Sequence, residues 1–206
     1  MYDFLYELEH KWFKDQVYLE GVILVQINDN ANPNKIAVIY NSKSGFTQKY
    51  ARWIAKAVQA DLLIGKKTKA EDLLHYDTIV FGGGLYAGGI NGLKLITKNY
   101  SNLKDKKIAV FCLGATPVRD EIVEEVRNKN LNVQQQESIQ FFMLRGGFNY
   151  ETLTPFDKIL MNLLKLKLKR KKVLTADERG MLRSYTHPVD FTNEKNIEPI
   201  IKYINE

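Results

Sequence analysis

From Lys35 onward the sequence alternates short apolar runs with stretches of helical spacing, and this limits the fold more than any other feature. The runs are Lys35 to Tyr40, Ala60 to Ile64, Asp77 to Gly82, Lys107 to Cys112 and Ser138 to Leu144. They are short, as strands are, and apolar throughout, as strands buried on both faces are. Between them the spacing predicts helices over about 46–59, 90–100 and 118–129, with a short one around 70–74. Strands alternating with helices predict an α/β chain. The expected form is a three-layer sandwich: a five-stranded parallel sheet, helices on both faces, right-handed crossovers. The expected strand order is 2-1-3-4-5, with a ligand crevice beyond the C-terminal ends of the strands.

Three loops leave strands at those ends. The first is Ser42-Lys43-Ser44-Gly45-Phe46-Thr47, between the first strand and the first helix. A helix N-terminus there would present unpaired N–H groups and partial positive charge, which suits a phosphate. Ser42, Ser44 and Thr47 can donate to phosphate oxygens, and Gly45 lets the backbone close around them. The nucleotide-triphosphate pattern G-x-x-x-x-G-K-[ST] is absent. A hydroxyl-rich loop without that lysine suits one terminal monophosphate. The plainer alternative is an ordinary strand-to-helix turn that contains serines. The second loop is glycine-rich, Gly82 to Gly89, and includes Tyr86; the third is Leu113-Gly114-Ala115-Thr116-Pro117. Glycines allow close backbone approach to a flat ring, and Tyr86 can stack on one or stand as a rim aromatic.

The pattern [ST]-x-[ST]-G-x-T after a first strand, with these two later loops, resembles the flavodoxins. The resemblance implies a flavodoxin-like fold and FMN as cofactor. It assigns the phosphate to Ser42, Lys43, Ser44, Gly45, Phe46 and Thr47. The isoalloxazine ring falls to Gly84, Leu85, Tyr86, Ala87 and Gly88, and to Leu113, Gly114, Ala115 and Thr116. Two rival motifs fit less well. Gly82-x-Gly84-x-x-Ala87 matches a loose dinucleotide fingerprint, but it follows the third strand and no acid lies about 20 residues on at a strand end. Cys112 and Arg119 have six intervening residues, one more than the phosphatase loop C-x₅-R, so Cys112 is expected as a small buried residue.

Residues 1–34 precede this pattern and form an N-terminal extension to a domain over 35–206. Tyr2 to Tyr18 read as a short helix, Gly21 to Ile27 as an extra strand, and Asn28 to Asn34 as a linker. A lone cysteine excludes an internal disulfide and fits a reducing compartment. The three histidines have no metal-ligand spacing, so no metal is expected. No apolar run approaches 18 residues and no leader pattern opens the chain, so a cytoplasmic location is expected.

The last helix, with Ile197, Ile200, Ile201 and Ile204 on one face, comes long after strand 5. Pro199 lies in its first turn or kinks it. Residues 145 to about 192 are therefore a helical insertion at the crevice end of the sheet. It holds eight Lys/Arg against two acids between 145 and 172, which accounts for the whole net charge of +6. Thr154 caps a predicted helix with Pro155 at its first position. Phe156, Ile159, Leu160, Leu163, Leu164, Leu166 and Leu168 give that helix a broad apolar face and Lys165 to Lys172 a basic end. The bland reading packs the helix on the domain with its lysines in water. The functional reading has residues 155–172 touch anionic lipid at the inner face of the membrane. No motif for nucleic acid is present.

The run Arg145-Gly146-Gly147-Phe148-Asn149-Tyr150, then Phe156-Asp157-Lys158 and Ile159-Leu160-Met161, resembles the flavodoxin-like, menaquinone-dependent protoporphyrinogen oxidase family over about 35–205. That resemblance implies FMN-dependent oxidation of protoporphyrinogen IX with a quinone as acceptor. Arg145 and Tyr150 are the candidate substrate-binding residues. Arg145 pairs with a substrate carboxylate or merely neutralises a nearby acid. The alternative function is a flavodoxin-type electron carrier between protein partners. A pI of about 9.2 argues against it, since such carriers are typically acidic. No residue stands out as a general acid or base.

Overall fold

A computed structural model describes residues 35–206. The expectations for residues 1–34 lie outside the described residues. Strand β1 (Ile36–Asn41) leads through the first loop into α1 (Phe46–Val58), then β2 (Asp61–Ile64) and a 3₁₀ turn (Glu71–Leu73). β3 (Thr78–Tyr86) folds back into β4 (Gly89–Ile90), followed by the short helices α2 (Lys94–Thr97) and α3 (Tyr100–Leu103). β5 (Lys107–Gly114), α4 (Asp120–Asn130), α5 (Val133–Ser138) and β6 (Ile139–Arg145) complete the core pattern. The insertion holds β7 (Gly147–Phe148), α6 (Pro155–Lys169), α7 (Ala176–Ser184) and β8 (Val189–Asp190). A 3₁₀ turn (Glu194–Ile197) and α8 (Glu198–Asn205) close the chain, with Pro199 in the first turn rather than at a kink.

The sheet runs β2-β1-β3-β5-β6, all neighbours parallel, with β4 paired only to β3. Setting β4 aside, this is the expected order 2-1-3-4-5. Residues alternate between two cores. Ala37 and Ile39 of β1 join Leu93, Ile96, Leu103 and Val126 on one face. Ile36, Val38 and Tyr40 join Tyr50, Ile54, Ile200 and Ile204 on the other. The central strands β1, β3 and β5, sandwiched by α1 and α8 on one side and α2 to α4 on the other, make the three layers, while the edge strand β2, expected to be buried, is mostly exposed. At Gly82 the sheet needs glycine, because a Cβ there would stand 2.1 Å from the ring tip of buried Phe111, its partner on β5.

Three departures from expectation have local causes. The second loop is not a loop at its start: β3 continues to Tyr86 and turns through Ala87 and Gly88, at φ of 49° and 79°, into β4. Two residues at positive φ are what a two-residue hairpin requires. That hairpin displaces the helix expected over 90–100, which begins only at Lys94 and splits in two. α5 was not expected; its capping box, with Asn132 and Gln135 bonding each other's backbone N–H, starts it.

The insertion leaves and rejoins the core at one place. β7 and β8 pair antiparallel, and Phe191 N–H donates to Gly146 O at 2.9 Å. The fully buried Tyr50 ties both ends, donating to Arg145 O (3.0 Å) and accepting from Asn193 N–H (3.1 Å). Closed ends let a long insertion fold without prising the core apart.

Candidate functional site

The three loops meet at the C-terminal ends of β1, β3 and β5. In the first, Gly45 caps α1 at φ 85°, where glycine sits without strain, and no side chain bonds the first-turn N–H groups. No acid stands in that turn. Gly45 N–H donates to Ser42 Oγ (3.0 Å), which leaves the Ser42 proton free to be given away. Ser44 is exposed, and among the described residues its hydroxyl has no partner. Thr47 is buried, 4% exposed, and its hydroxyl also lacks a partner among the described residues. Unpaired hydroxyls beside an uncapped helix N-terminus are the donor set a phosphate requires. The residues present therefore fit a terminal monophosphate.

The second loop is the β3–β4 hairpin, pinned from behind by α4. Lys129 Nζ donates to Ala87 O (3.2 Å) and Asn130 Nδ2 to Gly88 O (2.9 Å), while Ile90 N–H donates to Asn130 Oδ1 (2.9 Å). Gly84 faces open space; a Cβ there would find only Thr47 Oγ1, at 3.7 Å. That gap joins the first and second loops. Leu85 is partly buried and reaches to 3.4 Å from a Cβ built on Gly114, which joins the second loop to the third. Tyr86 is 38% exposed, and its ring face is met by Lys43 Nζ at 3.9 Å.

In the third loop Leu113 belongs to the core, 6% exposed, while Ala115 and Thr116 lie nearer the surface. Cys112 is fully buried on β5, and burial pushes its thiol up to about 12. Arg145 Nε donates to Ala115 O (3.3 Å), and its guanidinium lies 3.5 Å from the ring centre of Phe191. Among the described residues Arg145 has no acidic partner. Tyr150 is elsewhere: its hydroxyl donates to Asn162 Oδ1 (3.1 Å) and its ring packs on Tyr185 (5.4 Å), inside the insertion.

Beside the third loop the insertion lines a half-open cleft of about 740 Å³. Its walls include Ala115 to Pro117, Arg145, Leu164, Leu168, Met181, Arg183 and Phe191. The Arg183 side chain, like that of Arg145, has no ion pair among the described residues. The sequence reading missed α7, Arg183 and Phe191. A signal was present: Thr175 and Glu178 form a capping box that starts α7. It also missed Asp157, which lies 4% exposed at the start of α6 and pairs with Lys43. A second pair joins α7 to the chain after the third loop, Arg119 to Asp177.

The apolar face of α6 does not pack on the domain. Phe156, Ile159, Leu163 and Leu166 are 65%, 60%, 59% and 53% exposed, and within the helix Leu168 and Asp157 are the buried residues. Lys165 is drawn back over the Tyr185 ring (4.9 Å) and Lys171 to Glu178 (2.6 Å). Lys167, Lys169, Arg170 and Lys172 have no acidic partner among the described residues. No described helix is long and apolar enough to cross a membrane.

Residues 37–174 match a family model described as "Flavodoxin domain". Among solved structures the chain is similar to oxidised Flavodoxin 1 from Bacillus cereus (20% identity, TM-score 0.41, covering 68% of this chain and 99% of that one). It is also similar to a flavodoxin, WrbA-like protein from Agrobacterium tumefaciens (19%, TM-score 0.37, 54% and 83%). A third is two-electron reduced Megasphaera elsdenii flavodoxin (16%, TM-score 0.38, 53% and 85%). No match is found among curated proteins.

Proposed function

Because the chain belongs to the flavodoxin-domain family, we propose that it is an FMN-dependent oxidoreductase acting on a bulky, apolar, carboxylated substrate. Protoporphyrinogen IX is the type, and a quinone takes the electrons. FMN is the cofactor of the flavodoxin domain, and the uncapped first turn of α1 with the Ser42, Ser44 and Thr47 hydroxyls fits its phosphate. When bound, FMN supplies the acceptor for the hydrogens removed.

The observation that carries the reading is the cavity. A pure electron carrier needs no concave space of about 740 Å³ beside its third loop. Leu164, Leu168 and Met181 provide apolar wall; the lining acids Asp177 and Glu178 pair with Arg119 and Lys171, which leaves Arg145 and Arg183 as two cations with no ion pair among the described residues. Arg145 is held rigid by Phe191 and the Ala115 carbonyl, so its remaining guanidinium N–H groups are preorganised for a carboxylate. The test is anaerobic mixing of the FMN-loaded protein with protoporphyrinogen, then with a menaquinone analogue. Rapid bleaching and recovery of the flavin band support the enzyme. Bleaching only through a reductase protein would make the chain an electron carrier instead.

The bare face of α6 supports a peripheral contact with anionic lipid. Its exposed Phe156, Ile159, Leu163 and Leu166 adjoin Lys167, Lys169, Arg170 and Lys172, which no described acid pairs, the combination that binds acidic headgroups and the acyl boundary together. The location that goes with this is the cytoplasm, at the inner face of the membrane, where a lipid-soluble quinone is reached directly.

A further inference from the structure

Helix α6 is turned the wrong way round for a helix on a globular surface. Its large apolar residues face outward, and in its first turn the carboxylate is buried. Acids are rarely buried unless paired, since removing the charge from water is costly without compensating bonds. Asp157 has those bonds. Lys43 Nζ donates to Oδ1 (3.1 Å) and Oδ2 (3.2 Å). Thr154 Oγ1–H donates to Oδ2 (2.9 Å) and, as the helix cap, accepts from Asp157 N–H (3.2 Å). The phenol of Tyr86 lies against the same carboxylate. Lys43 Nζ also stands 3.9 Å over the Tyr86 ring, so one ammonium is clamped between an acid from the insertion and a ring from the hairpin.

Lys43 belongs to the first cofactor loop and Tyr86 to the second. The Lys43–Tyr86 contact joins the two loops, and Asp157 touches both of its members. We propose that Asp157 is a positioning residue for the flavin site: from the first turn of the insertion helix it fixes Lys43 and Tyr86. The insertion thereby sets the conformation of the cofactor loops and places a carboxylate beside them. Docking of the insertion and binding of FMN are then coupled, each favouring the other. This rests on the FMN reading above and adds to it a role for a residue outside the flavodoxin loops.

The experiment compares wild type with D157N, K43M, the double variant and D157E. In the apo-protein, amide exchange at residues 42–47 and 84–88 should speed up in D157N and K43M. It should be no faster in the double variant than in the worse single one, as for residues acting as a unit. With FMN bound, D157N should raise the dissociation constant about tenfold, the size of one lost charge-assisted contact. It should also move the midpoint potential of the flavin positive, because a nearby negative charge opposes electron uptake. D157E should restore most of both. A residue that only held the insertion in place would change exchange in 150–187 and leave the potential where it was. Unchanged loop exchange, an unchanged potential in D157N, or additive effects in the double variant would overturn the proposal. If wild type takes up no FMN, the flavin reading fails, while the exchange measurements still decide the latch.

Discussion

Lys43 and Asp157 lie 114 residues apart in sequence and 3.1 Å apart in space. Their contact joins the first loop of the core to the helix that the insertion adds. Burial pushes the Asp157 carboxyl up, but Tyr86, Thr154 and Lys43 outweigh it and hold the group below the usual carboxylate range. Asp190, at the insertion's other end, behaves alike: burial raises it, while Thr192 and Lys49 bring it lower. Lys49 Nζ is 2.9 Å from Asp190 Oδ2.

A carboxyl depressed on folding contributes stability in full above its unfolded value of about 3.9 and loses it as pH falls through the lower folded value. Both pairs anchor the insertion, so the insertion should loosen in acid before the core does. Amide exchange over 155–169, corrected for intrinsic rate, should rise relative to α1 as pH drops from neutral to below about 4. D157N should exchange fast at both ends of that range. Equal protection of α6 and α1 throughout would show that these pairs do not hold the insertion.

The phosphate loop predicts a difference between two flavins. Thr47 is buried and its hydroxyl has no partner among the described residues, so Thr47→Val keeps shape and removes only the donor. FMN affinity should fall by roughly 1.5 to 3 kcal/mol, and Ser44→Ala should act in the same direction. Riboflavin, which lacks the phosphate, should bind both variants as it binds wild type. Equal losses for the two flavins would put the hydroxyls at the ring instead.

Cys112 has no exposed surface, and burial pushes its thiol up to about 12. The thiolate is the reactive form, so a disulfide reagent at pH 8 should not modify the folded protein. Modification should track global unfolding in denaturant, which makes Cys112 a reporter of core stability. Fast labelling of native protein would mean that β5 opens locally at the third loop.

The core was legible because its signals are local. In β1, Ile36 to Tyr40 must be apolar on both faces, and it is. Thr154 and Pro155 announce the start of α6 through their own chemistry, and the helix begins there. The hairpin at Tyr86 was not legible, because glycines that mark a loop also serve a strand pressed against Phe111. The orientation of α6 was hidden too. Its stripe of Phe156, Ile159 and Leu163 looks like a packing face, and only the long-range pair with Lys43 shows which side is turned inward. Arg183 and Phe191 gained meaning only once α7 and the β7–β8 neck brought them to Arg145.

The outward stripe of α6 leads to the last prediction. Phe156, Ile159, Leu163 and Leu166 are more than half exposed, next to four cations that no described acid neutralises. Each cation near an anionic surface contributes roughly 1 kcal/mol, and the apolar residues add burial that salt does not screen. The FMN-loaded protein should therefore sediment more completely with phosphatidylserine vesicles than with phosphatidylcholine vesicles. Changing Lys167, Lys169, Arg170 and Lys172 to Gln should abolish the part of binding that added salt weakens. Phe156→Ser with Leu163→Ser should remove the part that persists in salt. The four cations lie at the far end of α6 from Asp157, so turnover of a water-soluble substrate should stay at the wild-type rate in the glutamine variant. If wild type remained in the supernatant at low salt, the lipid reading would fail, and conversion of a dimer to a monomer by the serine variant would show that a second copy of the chain covers the face instead.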